Sequence, residues 1–223
     1  MRRYLLLGTD TDVGKTTVAA ALCAAALRSG LLVAACKPVE TGAPERGDLD
    51  VIRAIAGNAV RCVAGARLEL AAAPSAAARA AGAAAPSIAA CAACVRSAEA
   101  GVDAVVVETC GGALTPLSDT EYVADLATAL PHYRVLLVAA LKLGVLSHSF
   151  GVAEYLNAIG RPMDGVVLCE RFGPCDAWYL ESTEADLAAR GLRVVARVAF
   201  GDQTNAQRLA ASVQSLIDVV PEL

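Results

Sequence analysis

Gly8-Thr9-Asp10-Thr11-Asp12-Val13-Gly14-Lys15-Thr16 directly follows the apolar run Tyr4-Leu5-Leu6-Leu7 and leads into an Ala/Leu-rich stretch from Thr17. A strand that stops at a glycine, turns, and enters a helix through Gly-Lys-Thr aims several backbone N–H groups at one point. The positive end of the helix already favours an anion there. A triphosphate fits that point. In the phosphate-loop pattern the lysine reaches the terminal phosphates and the next hydroxyl ligates magnesium, which assigns those roles to Lys15 and Thr16. Asp12, Val13, Gly14 and Thr17 make up the rest of the nucleotide cradle. The spacing departs from the template, because five residues separate Gly8 from Gly14 where four are expected, leaving Thr9 at the first glycine's place. A plain strand-to-helix turn is the alternative reading.

Length and composition bound the rest. At 223 residues the chain can bury a full core, and no Pro/Ser linker or charge block divides it, which predicts one domain over residues 1–223. Hydrophobic residues reach 56%, yet alanine supplies much of that, and Gly, Pro or charge interrupts every long apolar run. Neither a membrane span nor a leader is expected, and the reading is a cytoplasmic protein. A net charge of −4 with 19 Lys and Arg argues against a nucleic-acid backbone as the partner. The eight cysteines read as small apolar core residues; Cys91-Ala-Ala-Cys94 has metal-like spacing but no second pair and no histidine nearby. His132 and His148 are the only histidines, and neither suggests a histidine-based mechanism.

Short apolar runs alternate with Ala/Leu-rich stretches. Strands are expected at 3–8, 31–36, 103–108, 134–140, 164–169 and 193–200, as the continuous runs that a parallel sheet buried on both faces requires. Helices are expected at 15–29, 49–56, 88–100, 121–130, 147–159, 183–190 and 203–219, several closed by glycine. Residues 60–85 fit neither period. The fold class is therefore α/β, a doubly wound, mostly parallel sheet with helices on both faces. Ligands in such sheets sit outside the carboxyl ends of the strands.

The residues at those ends carry charge or are small. Lys37 stands after the second strand, which Pro38 is expected to close. Glu108 ends the third strand and is followed by Thr109-Cys110-Gly111-Gly112, whose glycines permit close backbone approach. Glu108 is a candidate magnesium ligand, with Thr16 and a second carboxylate from Gly47-Asp48-Leu49-Asp50. Asp48 is the favoured donor and Asp50 the competitor, and spacing alone does not separate them.

The loop at Gly8–Thr16, Lys37-Pro38-Val39-Glu40-Thr41-Gly42, Glu108 with its glycines, Thr115-Pro116-Leu117-Ser118-Asp119-Thr120, and Lys142-Leu143-Gly144 with Ser147-His148 together resemble dethiobiotin synthetase. The likeness covers residues 4 to about 170 and fades after Glu170. It implies a P-loop NTPase-like homodimer that uses ATP and Mg2+ to close a ureido ring on 7,8-diaminononanoate with CO2, or bicarbonate as its source. The products are dethiobiotin, ADP and phosphate. Lys37 and Lys15 become the catalytic cations. Gly111 and the positions of Cys169, Glu170 and Phe200 fall on the nucleotide, Thr11 and Thr41 near the substrate, and Gly144, Ser147 and Tyr179 near its chain carboxylate.

This chain departs from the family pattern at three places. Thr109 puts a β-branched side chain where a glycine usually stands. Cys169 occupies the position at which the family reads adenine with an asparagine amide, and a thiol lacks the paired donor and acceptor. Ala199-Phe200 replaces a Pro-Trp pair. These changes predict weak discrimination among nucleotide bases. Rival readings are a nucleotide-switched partition or cell-division ATPase, against which Asp10 stands where those carry a signature lysine, and a paralogue with altered nucleotide or substrate choice. A cobyrinate-type amidotransferase would need a longer chain.

Overall fold

The computed structural model describes residues 1–42 and 46–218. Seven strands form one sheet: β1 (Arg2–Gly8), β2 (Val33–Thr41), β3 (Arg61–Leu68), β4 (Ala104–Glu108), β5 (Arg134–Ala140), β6 (Gly165–Cys169) and β7 (Val194–Val198). Their order is β3-β2-β4-β1-β5-β6-β7, and every pairing is parallel. Helices α1 (Lys15–Arg28), α2 (Asp48–Ala56), α3 (Pro74–Ala80), α4 (Ile88–Ser97), α5 (Leu126–Ala129), α6 (Val145–Ala158), α7 (Ala177–Ala189) and α8 (Ala206–Asp218) make the connections. This is a doubly wound, all-parallel α/β fold.

Alternate residues of β1 explain why its sequence is continuously apolar. Tyr4 and Leu6 enter the core shared with α1 and α8, while Leu5 and Leu7 enter the one beneath α4, α5 and α6. Six of the ten buried residues of helix α1 are alanine, which lets it lie close to the sheet, and Leu209, Val213, Leu216 and Ile217 of α8 pack into the same core. Each fully buried large side chain contributes about 1.5–3 kcal/mol.

The structure corrects or completes several sequence expectations. First, Pro38 does not close β2. The strand loses β4 as a partner after Cys36 pairs Val107, then runs on to Thr41 beside β3 alone, and a proline is tolerated where only one neighbour needs hydrogen bonds. Gly65 of β3 makes room there, since a Cβ on it would sit 2.1 Å from the Pro38 carbonyl oxygen. Second, residues 60–85 hold an edge strand and the seven-residue α3; the strand is half exposed, so it lacks the apolar run that marks its neighbours. Third, the helix expected at 121–130 is one 3-10 turn at Val123–Asp125 followed by the four-residue α5. Helix α7 begins six residues before its expected start at Thr183. The expected end of the last helix, Val219, lies outside the described residues.

Candidate active site

Strand order brings the carboxyl ends of β1 and β4 beside the middle of β2. β1 delivers the loop after Gly8, β4 on one flank delivers Glu108, and β2 beyond it delivers Lys37. Register sets their heights: Cys36 lies opposite Val107, so Lys37 and Glu108, each one residue further, emerge together. The loop itself turns through Asp12 (φ 57°) and Gly14 (φ 103°), both left-handed, which frees the first N–H groups of α1 to face outward.

The two lysines are buried in the same cleft, of about 970 Å³. Lys15 Nζ donates to the carbonyls of Gly111 (2.6 Å) and Asp10 (3.1 Å). Burial first, and then the charge of Lys37, push its ammonium below its usual pKa. Lys37 Nζ lies 2.5 Å from Asp48 Oδ2 and 3.0 Å from Glu108 Oε1, and donates to the Thr109 carbonyl at 3.1 Å. Burial opposes the Lys37 charge, but Glu108 and Asp48 outweigh it and hold the ammonium well above its usual value. Both cations thus converge on the segment 108–111, one from the loop and one from β2.

Thr16 joins the carboxylates. Its hydroxyl lies 2.8 Å from Glu108 Oε1 and 3.2 Å from Asp48 Oδ1. Burial would raise the Asp48 carboxyl, yet Lys37 holds it below its usual range. For Glu108, burial prevails over Lys37 and lifts the carboxyl. The two partners of this ion pair thus shift in the same direction, and the firmer half is Lys37, which has two carboxylates and stays charged. Glu108 Oε2 is buried with no hydrogen-bond partner. An orphaned carboxylate oxygen is costly unless something fills its coordination. Asp48, Glu108 and Thr16 all face the open cleft, and among the described residues no third His, Cys, Asp or Glu completes a metal cluster with them. That donor set fits magnesium, which is held by one or two carboxylates together with substrate phosphates. Asp50 is elsewhere, its Oδ2 accepting from the Gly47 N–H at 3.1 Å as a helix cap.

The cleft gathers many of the residues singled out from sequence. Thr11, Asp12, Gly14 and Thr17 line it with Lys15 and Thr16, and so do Lys37, Thr41 and Asp48 from the β2 side and Glu108 and Gly111 from β4. Val13 is buried beneath the loop. Cys169, Glu170, Phe200, Gly144, Ser147 and Tyr179 do not line it. Cys169 is 3% exposed and packs under the loop, where a Cβ on Gly14 would meet its sulfur at 3.1 Å. Burial pushes its thiol up to about 12. A sulfur so placed supports Gly14 and offers no polar edge to a base. Glu170 is occupied in accepting from the Phe200 N–H at 2.8 Å, and the Phe200 ring is exposed. Thr109 does not intrude on the cleft, because its hydroxyl is turned back to the Leu6 carbonyl at 2.8 Å.

Sequence reading gave no site role to Glu40, Arg171 or the wall at 71–74 and 114–116, all of which line the cleft, although Glu40, Thr115 and Pro116 stand in the motifs that carry the resemblance. Arg171 pairs with Asp12 at 2.8 Å, and Lys142 pairs with Asp10 at 3.1 Å. Both cations follow strand ends, so the carboxyl-end rule already pointed at them.

A family profile described as an AAA domain matches residues 2–208. The ATP-dependent dethiobiotin synthetase BioD of Anaeromyxobacter dehalogenans (strain 2CP-C) is 41% identical over 192 residues, covering 84% of this chain and 85% of that protein. The protein of the same name from Rhodococcus erythropolis (strain PR4 / NBRC 100887) is 39% identical over 171 residues, 75% of each. Among solved structures, a chain of the MinC:MinD cell division protein complex of Aquifex aeolicus superposes with a TM-score of 0.63 at 11% identity, over 100% of this chain and 98% of that one. A ParA family ATPase from Chlorobium tepidum TLS gives 0.62 at 10% identity, over 98% and 100%. Likeness at that identity shows the fold alone. The sequence relationship goes further: with its phosphate loop and rim residues, this chain belongs to the ATP-dependent dethiobiotin synthetase family and is an ATP-dependent ligase of the P-loop NTPase fold.

Proposed function

We propose that this chain forms dethiobiotin from 7,8-diaminononanoate, CO2 and ATP, acting as a cytoplasmic single-domain enzyme that pairs into a homodimer. The observation that supports this most is the convergence of Lys15 and Lys37 on one cleft beside an unpartnered Glu108 oxygen. Every intermediate in the reaction is anionic. One substrate amine captures CO2 as a carbamate, and the γ-phosphoryl group passes from ATP to a carbamate oxygen, releasing ADP. The second amine then attacks the carbamoyl carbon, whose C–O bond to the phosphate breaks as inorganic phosphate leaves.

The residues act by placement and charge. Lys15 would bind the β and γ oxygens from the loop side, exchanging its carbonyl partners for phosphate. Lys37 would hold the carbamate and the transferring group from the opposite side. Fixed charges at a water-poor site stabilise a developing anion far more than they would in bulk solvent. Thr16, Asp48 and Glu108 would hold magnesium. When bound with the nucleotide, that ion would neutralise phosphate oxygens and polarise the group being transferred. Thr11, Asp12 and Thr41, at the cleft's mouth, would contact the diamine. The adjacent amines make the last step intramolecular, so no protein nucleophile is needed.

Gly144, Ser147 and Tyr179, which lie off the cleft, would meet the substrate's chain carboxylate across the dimer. Cys169, Glu170, Phe200 and the backbone around them would border the nucleotide base without reading it. The decisive experiment follows dethiobiotin formation by purified protein with diaminononanoate, bicarbonate, magnesium and ATP, GTP or CTP in turn. Turnover that needs both small substrates and disappears in Lys37→Ala while nucleotide still binds is the expected result; nucleotide hydrolysis independent of diamine and bicarbonate would refute the reading.

A further inference from the structure

Glu40 is a cleft carboxylate that touches neither Lys15, Lys37 nor Thr16, and its contacts are unusually specific. It lies two residues past Pro38 on β2, directly opposite Arg67 of β3. Its side chain is 13% exposed, with Oε2 3.2 Å from Arg67 Nε. Oε1 accepts from the Asp48 backbone N–H at 2.8 Å. Asp48 opens α2, where the first N–H groups lack partners within the helix, and the cap residue is Gly47, which has no side chain to supply one. The cap therefore comes from a different element. Gly47 is fitted to it, since a Cβ there would lie 2.8 Å from each Glu40 oxygen. The same Asp48 whose nitrogen Glu40 holds directs its carboxylate to Thr16 (3.2 Å) and Lys37 (2.5 Å).

We infer that Glu40 is a positioning residue that, braced by Arg67 and seated on Gly47, fixes the start of α2 so that Asp48 can take its share of the metal–nucleotide complex. This rests on the reading of Thr16, Asp48 and Glu108 as the magnesium-holding residues. Helix α2 lies outside the sheet, so its first residue has no strand partner to set its height. A carboxylate from β2, itself pinned by the neighbouring strand, supplies that reference. Outer partners of this kind set ligand orientation, and their loss weakens metal binding about 10–100-fold.

Calorimetry of ADP binding with and without magnesium tests the inference apart from turnover. In the wild-type protein magnesium tightens ADP binding. In Glu40→Ala and in Gly47→Ala, which crowds the same carboxylate from the other side, that tightening should fall about tenfold while metal-free ADP affinity stays within about twofold. Glu40→Gln, which keeps the shape and one acceptor, should fall between and serves if Glu40→Ala does not fold. In an Asp48→Ala background, Glu40→Ala should add nothing, because the effect passes through Asp48. An unchanged magnesium effect in both Glu40→Ala and Gly47→Ala overturns the role of Glu40, as does an equal loss in the Asp48→Ala background, which would make Glu40 a ligand in its own right. Absence of any magnesium effect in the wild type overturns the metal-site reading, and this inference with it.

Discussion

The two halves of the sheet's carboxyl rim are built differently. Over β2, β4 and β1 the charges are buried and interlocked: Lys37 is 4% exposed, Glu108 1% and Lys15 6%, each with short contacts to its neighbours. Over β5, β6 and β7 the rim is open, with Leu143 89%, Trp178 68%, Phe172 58% and Phe200 51% exposed. The first half is held in place by the protein's own contacts, which is the preorganisation that electrostatic stabilisation draws on. The second half presents apolar side chains and loosely held ion pairs such as Lys142 with Asp10 and Arg171 with Asp12. On the proposed function, a site of this design would grip what all nucleoside triphosphates share, the phosphates, and leave the base and the diamine's far end to weaker contacts.

Lys37→Ala attacks the organised half at its centre. Turnover should fall roughly 10³-fold, with a far smaller change in nucleotide affinity, as measured by initial rates and direct binding. A loss under tenfold would mean that the charge cluster is structural and the chemistry lies elsewhere. Glu108→Gln breaks a buried ion pair, leaving Lys37 with Asp48 alone. Chemical denaturation should show about 3 kcal/mol of lost stability. A neutral outcome would show that burial of Glu108 already offsets its attraction to Lys37.

Gly14→Ala probes the boundary between the halves. The alanine must adopt φ 103° and meet the Cys169 sulfur at 3.1 Å, so about 1–2 kcal/mol of stability should be lost. Adding Cys169→Ala should recover part of that loss by relieving the contact, and none of the part due to backbone. Cys169→Ala alone should change the ratios of kcat/KM for ATP, GTP and CTP by less than about twofold, because a buried sulfur reads no base. A change of tenfold would return Cys169 to the base pocket. Phe200→Ala, on the open half, should raise the nucleotide KM by about twofold at most, the scale of an exposed substitution.

How much of this was legible depended on where each element sits in the sheet. Central strands announce themselves because both faces are buried: Leu5-Leu6-Leu7 and Val105-Val106-Val107 can hardly be anything else. The edge strand Arg61–Leu68 has one neighbour and partial exposure, so its pattern of small and charged residues carried no period. Proline at position 38 looked like a terminator because a sequence does not show that β4 stops one residue beyond Val107. Lys15, Thr16 and Glu108 were legible from motif and strand-end position, and Lys37 from its motif, although β2 runs past it to Thr41. The preference for Asp48 over Asp50 was not fixed by spacing, because two residues on one helix turn differ in direction only once the helix is docked. Glu40 stands in the Lys37–Gly42 motif, but its role was not legible, since its partners, Asp48 and Arg67, lie on other elements.

Sequence alone determined the phosphate loop, the alternation of buried strands and helices, and the kinship with dethiobiotin synthetases, because these rest on local chemistry and short-range periodicity. Docking decided the rest: that Lys37 and Glu108 emerge side by side, that Asp48 joins them while Asp50 caps a helix, and that Cys169 packs beneath Gly14. Such pairings depend on strand order and register, which bring together residues 71 positions apart, as with Lys37 and Glu108. Their energies are long-range and cooperative, so no stretch of chain encodes them by itself.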